Sequence, residues 1–135
     1  MEYHQFLGQV QHRGRMATLE DATKAVRATL QTLGERLFGG EATDLAAQLP
    51  QEIGRYLLEA SKSERFSLDE FFRRVSQREG VDLPTSVYHT RAVIDVLKDA
   101  VSPGEIADVL AQLPAEYNTL FKAGVTGEMP DRGGK

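Results

Sequence analysis

The stretch GEATDLAAQLPQE, residues 40–52, recurs sixty-four positions later as GEIADVLAQLPAE, residues 104–116. Sliding the sequence along itself at this offset aligns residues 18–57 with residues 82–121 without a gap. Twelve of these forty aligned pairs are identical, and many others exchange one apolar residue for another, as in Leu45 and Val109. An internal repeat constrains the architecture more strongly than any single motif does. The sequence therefore predicts a duplication, with repeat one at about residues 3–60 and repeat two at about residues 67–121.

Both repeats carry the apolar spacing of amphipathic α-helices, with steps of three and four residues. In repeat one the apolar stripe consists of Leu19, Ala22, Val26, Leu30, Leu33 and Leu37. In repeat two it consists of Leu83, Val87, Ile94, Leu97 and Val101. Alternating β-branched runs are absent, so no strand is predicted. The fold class predicted is all-α, a compact helical bundle made of two tandem repeats with pseudo-two-fold symmetry.

Helix boundaries are marked by local signals. Thr18, Ser67 and Ser102 each stand three residues before an acidic residue, the pattern of an N-cap, and the segment from Ser102 to Glu105 predicts a capping box. Gly8 and Gly14 predict an interrupted first helix, and residues 61–65 predict a polar loop between the repeats.

The repeated stretch itself predicts a corner between two helices. Pro50 and Pro114 lack a backbone N–H, so each is tolerated at the start of a helix, while the leucine before it is pushed out of the helical region. Leu49 and Leu113 then belong to the core.

Composition limits the classes of function. The chain has 135 residues, a net charge of -4 and no cysteine, so disulfides, thiolate metal sites and cysteine nucleophiles are excluded. It contains no apolar run of about 18 residues, and we expect a soluble, cytoplasmic protein without membrane contact. Residues 1–124 are predicted to form a single helical domain, and residues 125–135 a flexible C-terminal tail.

Three segments together carry a family resemblance: TLGERLFGGEATDLAAQLP (residues 32–50), FSLDEFFRRVSQREGV (residues 66–81) and VSPGEIADVLAQLPAEYNTLF (residues 101–121). They resemble a bacterial family known as domain of unknown function 2267, from about Tyr3 to Phe121. The resemblance implies an all-α domain built from two related halves. It implies no established activity, cofactor or catalytic residue.

The most suggestive acidic residues are the pairs Glu41–Asp44 and Glu105–Asp108, which occupy equivalent positions near helix starts. Paired carboxylates serve acid–base catalysis when their pKa values diverge, but they also complement helix dipoles. Because an active site rarely needs two identical copies in a small domain, we interpret both pairs as structural. No catalytic, cofactor-binding or metal-binding residue is predicted.

Other polar residues receive structural interpretations. His4, His12 and His89 lack an assured third metal ligand, so we expect exposed or packing histidines. Gln48 and Gln112 are expected to satisfy backbone groups freed at the proline corners, with a role in partner contact left open. Each repeated arginine is expected to pair with an acid of its own motif: Arg27 with Asp44 or Glu41, and Arg91 with Asp108 or Glu105.

Three classes of function follow. The first is a non-enzymatic protein-interaction or regulatory module, with a protein partner or self-association. The second is an enzyme using the repeated carboxylates, with His4 or His12. The third is a weak nucleic-acid binder using Arg73, Arg74 and Arg78, although an ordinary solvated helix face is the simpler interpretation of these arginines.

Overall fold

A computed structural model describes residues 1–123, and the predicted tail of residues 125–135 lies outside the described residues. Within residues 1–123 all regular secondary structure is helical. The helices are α1 (Tyr3–Arg13), α2 (Leu19–Arg36), α3 (Glu41–Ala46), α4 (Gln51–Leu57), α5 (Leu68–Glu79), α6 (Leu83–Ala100), α7 (Pro103–Ala111) and α8 (Asn118–Ala123), with a 3₁₀ turn at Ala115–Tyr117 before α8. The all-α prediction is confirmed.

The two longest helices lie at the centre of the bundle. Helix α2 packs against α1, α4, α5 and α6, and α6 packs against α1, α2, α5 and α8. Both contain 18 residues, and their bounds differ by the sixty-four positions of the sequence repeat. The short helices α3 and α7 pack against each other at one end of the bundle.

Helix starts follow the capping signals. The side-chain oxygens of Thr18, Ser67 and Ser102 each accept a hydrogen bond from the backbone N–H three residues on. Residues 58–67 form no helix, so the loop predicted at residues 61–65 is confirmed. The interruption predicted at Gly8 is wrong, because α1 runs through that residue and ends at Gly14. Burial of Phe6 and Val10 offsets the cost of about 1 kcal/mol for a glycine inside a helix.

The proline corners place their leucines in the core as predicted. Leu49 and Leu113 are each 8% exposed and belong to the main apolar cluster. Pro50 precedes α4 directly, whereas Pro114 is followed by the 3₁₀ turn and then by α8. The two corners therefore share their buried leucine but differ in how the following helix begins.

Truncation of either corner leucine is expected to be strongly destabilising. Leu49→Ala and Leu113→Ala should each lower the free energy of unfolding by about 2–5 kcal/mol, measured by urea unfolding. Leu58, which is 52% exposed, supplies the control. Leu58→Ala should change stability by less than about 0.5 kcal/mol. Equal effects of the three substitutions would show that the corners are not part of the core.

Among residues 1–123, no helix combines the length and the apolar character needed to cross a membrane.

Candidate functional site

Helices α3 and α7 bring the two acidic pairs of the sequence into one place. Glu41, Glu105 and Asp108 each offer one carboxylate oxygen, and these three oxygens lie within 4.8 Å of one another. Asp44 lies close enough to influence the ionisation of Glu105. The acidic cluster, defined here as Glu41, Asp44, Glu105 and Asp108, is thus one composite site rather than two separate pairs.

The members of the acidic cluster differ in solvent exposure, from the buried Glu105 to the exposed Asp108. Glu105 is only 7% exposed, Glu41 is half-buried, and Asp108 is exposed. One oxygen of Glu41 and one oxygen of Glu105, Oε2 in each case, are buried and accept no hydrogen bond from a backbone N–H or from another side chain of residues 1–123. The two carboxyl groups can hydrogen-bond to each other only when they share a proton. Burying a carboxylate oxygen without a donor costs free energy. A proton or a bound cation would therefore stabilise these buried oxygens.

The helix start of α7 explains why the Glu105 side chain is available. In a complete capping box its carboxylate would accept a hydrogen bond from the backbone N–H of Ser102. Here Ser102 N donates instead to Gln48 Oε1, at 2.8 Å, so only the Ser102 half of the predicted capping box forms. The carboxylate of Glu105 is consequently left free of its helix cap and lies beside Glu41.

The start of α3 has a matching arrangement. Gln112 Oε1 accepts a hydrogen bond from Phe38 N at 2.8 Å, and Gln112 Nε2 donates to Phe38 O at 2.9 Å. Gly40, with φ of 82°, is the N-cap of α3 and has no side chain to contribute. Both glutamines therefore satisfy backbone groups, but they do so at the start of the opposite short helix. The prediction that they satisfy backbone groups is confirmed, but those groups do not belong to the proline corners, so that part of the prediction was wrong.

The electrostatics of the acidic cluster are dominated by Glu105. Burial, a hydrogen bond with Glu41 and the negative charges of Asp108 and Asp44 raise the pKa of the Glu105 carboxyl to about 7. None of the ion pairs formed within residues 1–123 involves a member of the cluster. Near neutral pH Glu105 can therefore hold or release a proton, and the cluster can present several carboxylate oxygens to a cation.

Residues 3–120 match the family described as uncharacterized conserved protein (DUF2267). The chain belongs to this family. No curated protein matches the sequence. The description of the DUF2267 family names no activity.

The arginines repeated in this DUF2267 domain do not neutralise the cluster. Arg27 forms an ion pair with Glu59, 3.3 Å between Nε and Oε1, and its guanidinium lies over the Tyr56 ring. Arg91 makes no ion pair within the described part of the chain, and its Nε is buried without a partner. The predicted pairing of each arginine with an acid of its own motif was wrong.

The histidines lie outside the acidic cluster. His4 and His12 are exposed on α1, as predicted, so neither supplies the base that the enzymatic hypothesis placed beside the carboxylates. His89 is half-buried, and its Nδ1 is hydrogen-bonded to Oε2 of the buried Glu79. The sequence did not indicate this pair, because the two residues lie on different helices.

The arginines of α5 form ion pairs with nearby carboxylates. Arg74 and Arg78 both form ion pairs with Glu35 on α2, at 3.1 and 3.0 Å, and Arg74 also pairs with Glu70. Arg73 stays 53% exposed and lies 3.6 Å from Glu70. Arg74 and Arg78 therefore join α5 to α2, and only Arg73 has more than half of its side chain exposed, so α5 does not present the basic face of several free arginines that phosphate contacts require.

Proposed function

We propose that this DUF2267 domain is a non-enzymatic regulatory module whose acidic cluster binds a divalent cation between two repeats related by a pseudo-two-fold axis. The observation that carries the proposal is the placement of Glu105, whose carboxylate has less than a tenth of its surface exposed, accepts no hydrogen bond at Oε2 from a backbone N–H or a basic side chain of residues 1–123, and lies beside two further carboxylates. Occupancy of the cluster then controls how firmly α3 and α7 are joined. A protein partner or a second copy of the chain would respond to that state.

The pseudo-two-fold relation is supported by reciprocal contacts. Gln48 bonds the backbone of Ser102, and Gln112 bonds the backbone of Phe38. Each glutamine and each target is sixty-four positions from its counterpart. A two-fold axis between α3 and α7 would generate this exchange, and it would bring Glu41 next to its own counterpart, Glu105.

A second pair of equivalent contacts supports the same relation. Gly34 of α2 lies against the carbonyl oxygen of Leu57, and the equivalent Lys98 of α6 donates through Nζ to the carbonyl oxygen of Phe121. In both repeats the same position on the central helix thus meets the C-terminal part of its own repeat. The chemistry differs, but the place of the contact is the same.

The cation class follows from the ligand atoms. Carboxylate oxygens are hard ligands that favour Ca²⁺, Mg²⁺ or Mn²⁺ over softer metals. Oxygens bound to one Ca²⁺ at about 2.3–2.6 Å lie at most about 5 Å apart, which fits the 4.8 Å limit of the three oxygens. A cation would reach the buried Glu105 from solvent on the side of the exposed Asp108.

Thermal unfolding with added Ca²⁺, Mg²⁺ or Mn²⁺ at pH 8 tests this function. At least one cation should raise Tm in a saturable manner, corresponding to about 3 kcal/mol at a hundred times its Kd. Glu105→Gln should lose most of the response, because the amide removes a charged ligand from the base of the cluster.

Glu20→Gln is the matched control, since Glu20 is an exposed acid at the start of α2 and outside the cluster. This variant should respond to the cation as the wild type does. An equal response of wild type and Glu105→Gln, or no saturable response to any of the three cations, would overturn the proposal.

A further inference from the structure

A second polar site lies between the loop before α2 and the turn before α6, and it shares no residue with the acidic cluster. The loop joining α1 to α2 and the turn joining α5 to α6 enclose a surface cavity of about 360 Å³. Its lining includes three basic side chains, Arg15, Lys24 and His89. Arg15 also lines a larger neighbouring cavity of about 860 Å³, so this residue borders both cavities.

Arg15 occupies a backbone conformation that favours glycine. Its φ is 53°, the only positive φ of a non-glycine residue within residues 1–123. Arg15 N bonds His12 O at 3.2 Å and Met16 N bonds Gln11 O at 2.9 Å, which is the Schellman pattern of a helix C-terminus. At the end of α5 the corresponding left-handed residue is Gly80, with φ of 79°.

An arginine at such a position is less favourable than glycine, because its Cβ crowds the following carbonyl oxygen. Strain of this kind is typical of residues held for function.

The cationic groups of this cavity are free to meet a ligand. Within the described part of the chain neither Arg15 nor Lys24 forms an ion pair, whereas the adjacent Arg13 is fully engaged by Asp95 and Asp99. The acidic lining residues are Glu79 and Asp21. Glu79 is hydrogen-bonded to His89 through Oε2, while its Oε1 is buried without a partner among residues 1–123. Neither Glu79 nor Asp21 forms an ion pair with Arg15 or Lys24.

The Glu79 carboxylate also orients the third basic group. It accepts from Nδ1 of His89, which fixes the imidazole ring and leaves Nε2 without a protein partner among residues 1–123. When the ring is protonated, Nε2 is a donor.

We propose that this cavity binds a small phosphate-type oxyanion, free or as part of a phosphorylated small molecule, through Arg15, Lys24 and Nε2 of His89. A guanidinium, an ammonium and an imidazole converging on one cavity provide the charge-assisted donors that oxyanions require. The volume of about 360 Å³ also accommodates a small molecule attached to the anion.

The test is a titration of the full chain with inorganic phosphate at constant ionic strength, followed by amide chemical shifts. We expect saturable shifts centred on Ala17, Gly80 and Val81, which line the cavity. Glycerol phosphate should displace phosphate from the same amides. Shifts that never saturate, or that are centred on another part of the molecule, would overturn the proposal.

Variants separate binding from folding. Arg15→Gly should raise Tm by a few degrees, because glycine tolerates positive φ. The same variant should weaken phosphate binding about tenfold or more.

Lys24→Gln should weaken binding similarly, and Arg55→Gln, at an exposed arginine of α4, should leave it unchanged. Undiminished affinity in both cavity variants, or equal loss in Arg55→Gln, would show that Arg15 has only a structural role.

Discussion

Raising the pH from about 4.5 to about 7 should destabilise the wild-type chain through Glu105, by about 3 kcal/mol for this residue. The sign follows from proton binding. The pKa of Glu105 is about 7 in the folded chain against 4.5 for the ordinary carboxyl, so between these values the folded state holds more protons than the unfolded state. Its favourable contribution is complete below pH 4.5 and is lost as the pH rises through 7.

Glu105→Gln should remove this dependence, because the amide stays neutral and still donates a hydrogen bond to Glu41. We expect the variant to match the wild type near pH 4.5 and to exceed it by about 3 kcal/mol at pH 8 in the absence of divalent cations. Urea unfolding over this range measures the difference, and Glu20→Gln serves as the control. A constant difference between wild type and Glu105→Gln at all pH values would contradict the raised pKa.

Substitution of Gly34 by alanine should be the most damaging change of a single methyl group. A Cβ at this position would lie 2.0 Å from the carbonyl oxygen of Leu57 and 2.9 Å from its carbonyl carbon. Since these are backbone atoms, α4 would have to move away from α2. We expect Gly34→Ala to lower the free energy of unfolding by about 3 kcal/mol or more, measured by urea unfolding.

Gly8 provides a matched control on α1. A Cβ there meets no atom within 4 Å. Gly8→Ala should therefore stabilise the chain by about 0.5–1 kcal/mol through helix propensity. If Gly34→Ala were tolerated as well as Gly8→Ala, the close approach of α2 and α4 would be refuted.

The parts of the fold that sequence predicted are those set by local chemistry. The caps at Thr18 and Ser67 and the buried leucines Leu49 and Leu113 depend on residues a few positions apart, so their signals are legible in one dimension. Helix α1 departs from its prediction at Gly8, because burial of its apolar face outweighs a modest propensity cost.

The long-range ion pairs and hydrogen bonds could not be predicted from the sequence. Arg27 forms its ion pair with Glu59, which follows the end of α4, and not with the acids of its own motif. Gln48 and Gln112 reached backbone groups of the opposite short helix, and this exchange freed Glu105 from its capping box. Several carboxylates and donors offer similar chemistry, so only the packing of the helices selects among them.

The acidic cluster did have a signal in the sequence. Residues close to a two-fold axis meet their own counterparts, so a duplicated acid near such an axis becomes a pair of neighbours. Glu41 and Glu105 were identical positions of the repeat, and they were treated as two separate sites. The sequence could not show that α3 and α7 pack against each other, and this packing is what brings Glu41 and Glu105 together.

The most direct test of the composite acidic site is a ¹³C NMR titration of the Glu105 side-chain carboxyl in the wild type and in Glu41→Gln, without divalent cations. We expect a midpoint at about pH 7 in the wild type, and a lower midpoint in Glu41→Gln, because the variant loses the negative charge of Glu41. A Glu105 midpoint near 4.5, or one that does not respond to Glu41→Gln, would contradict the claim that carboxylates of both repeats form one site.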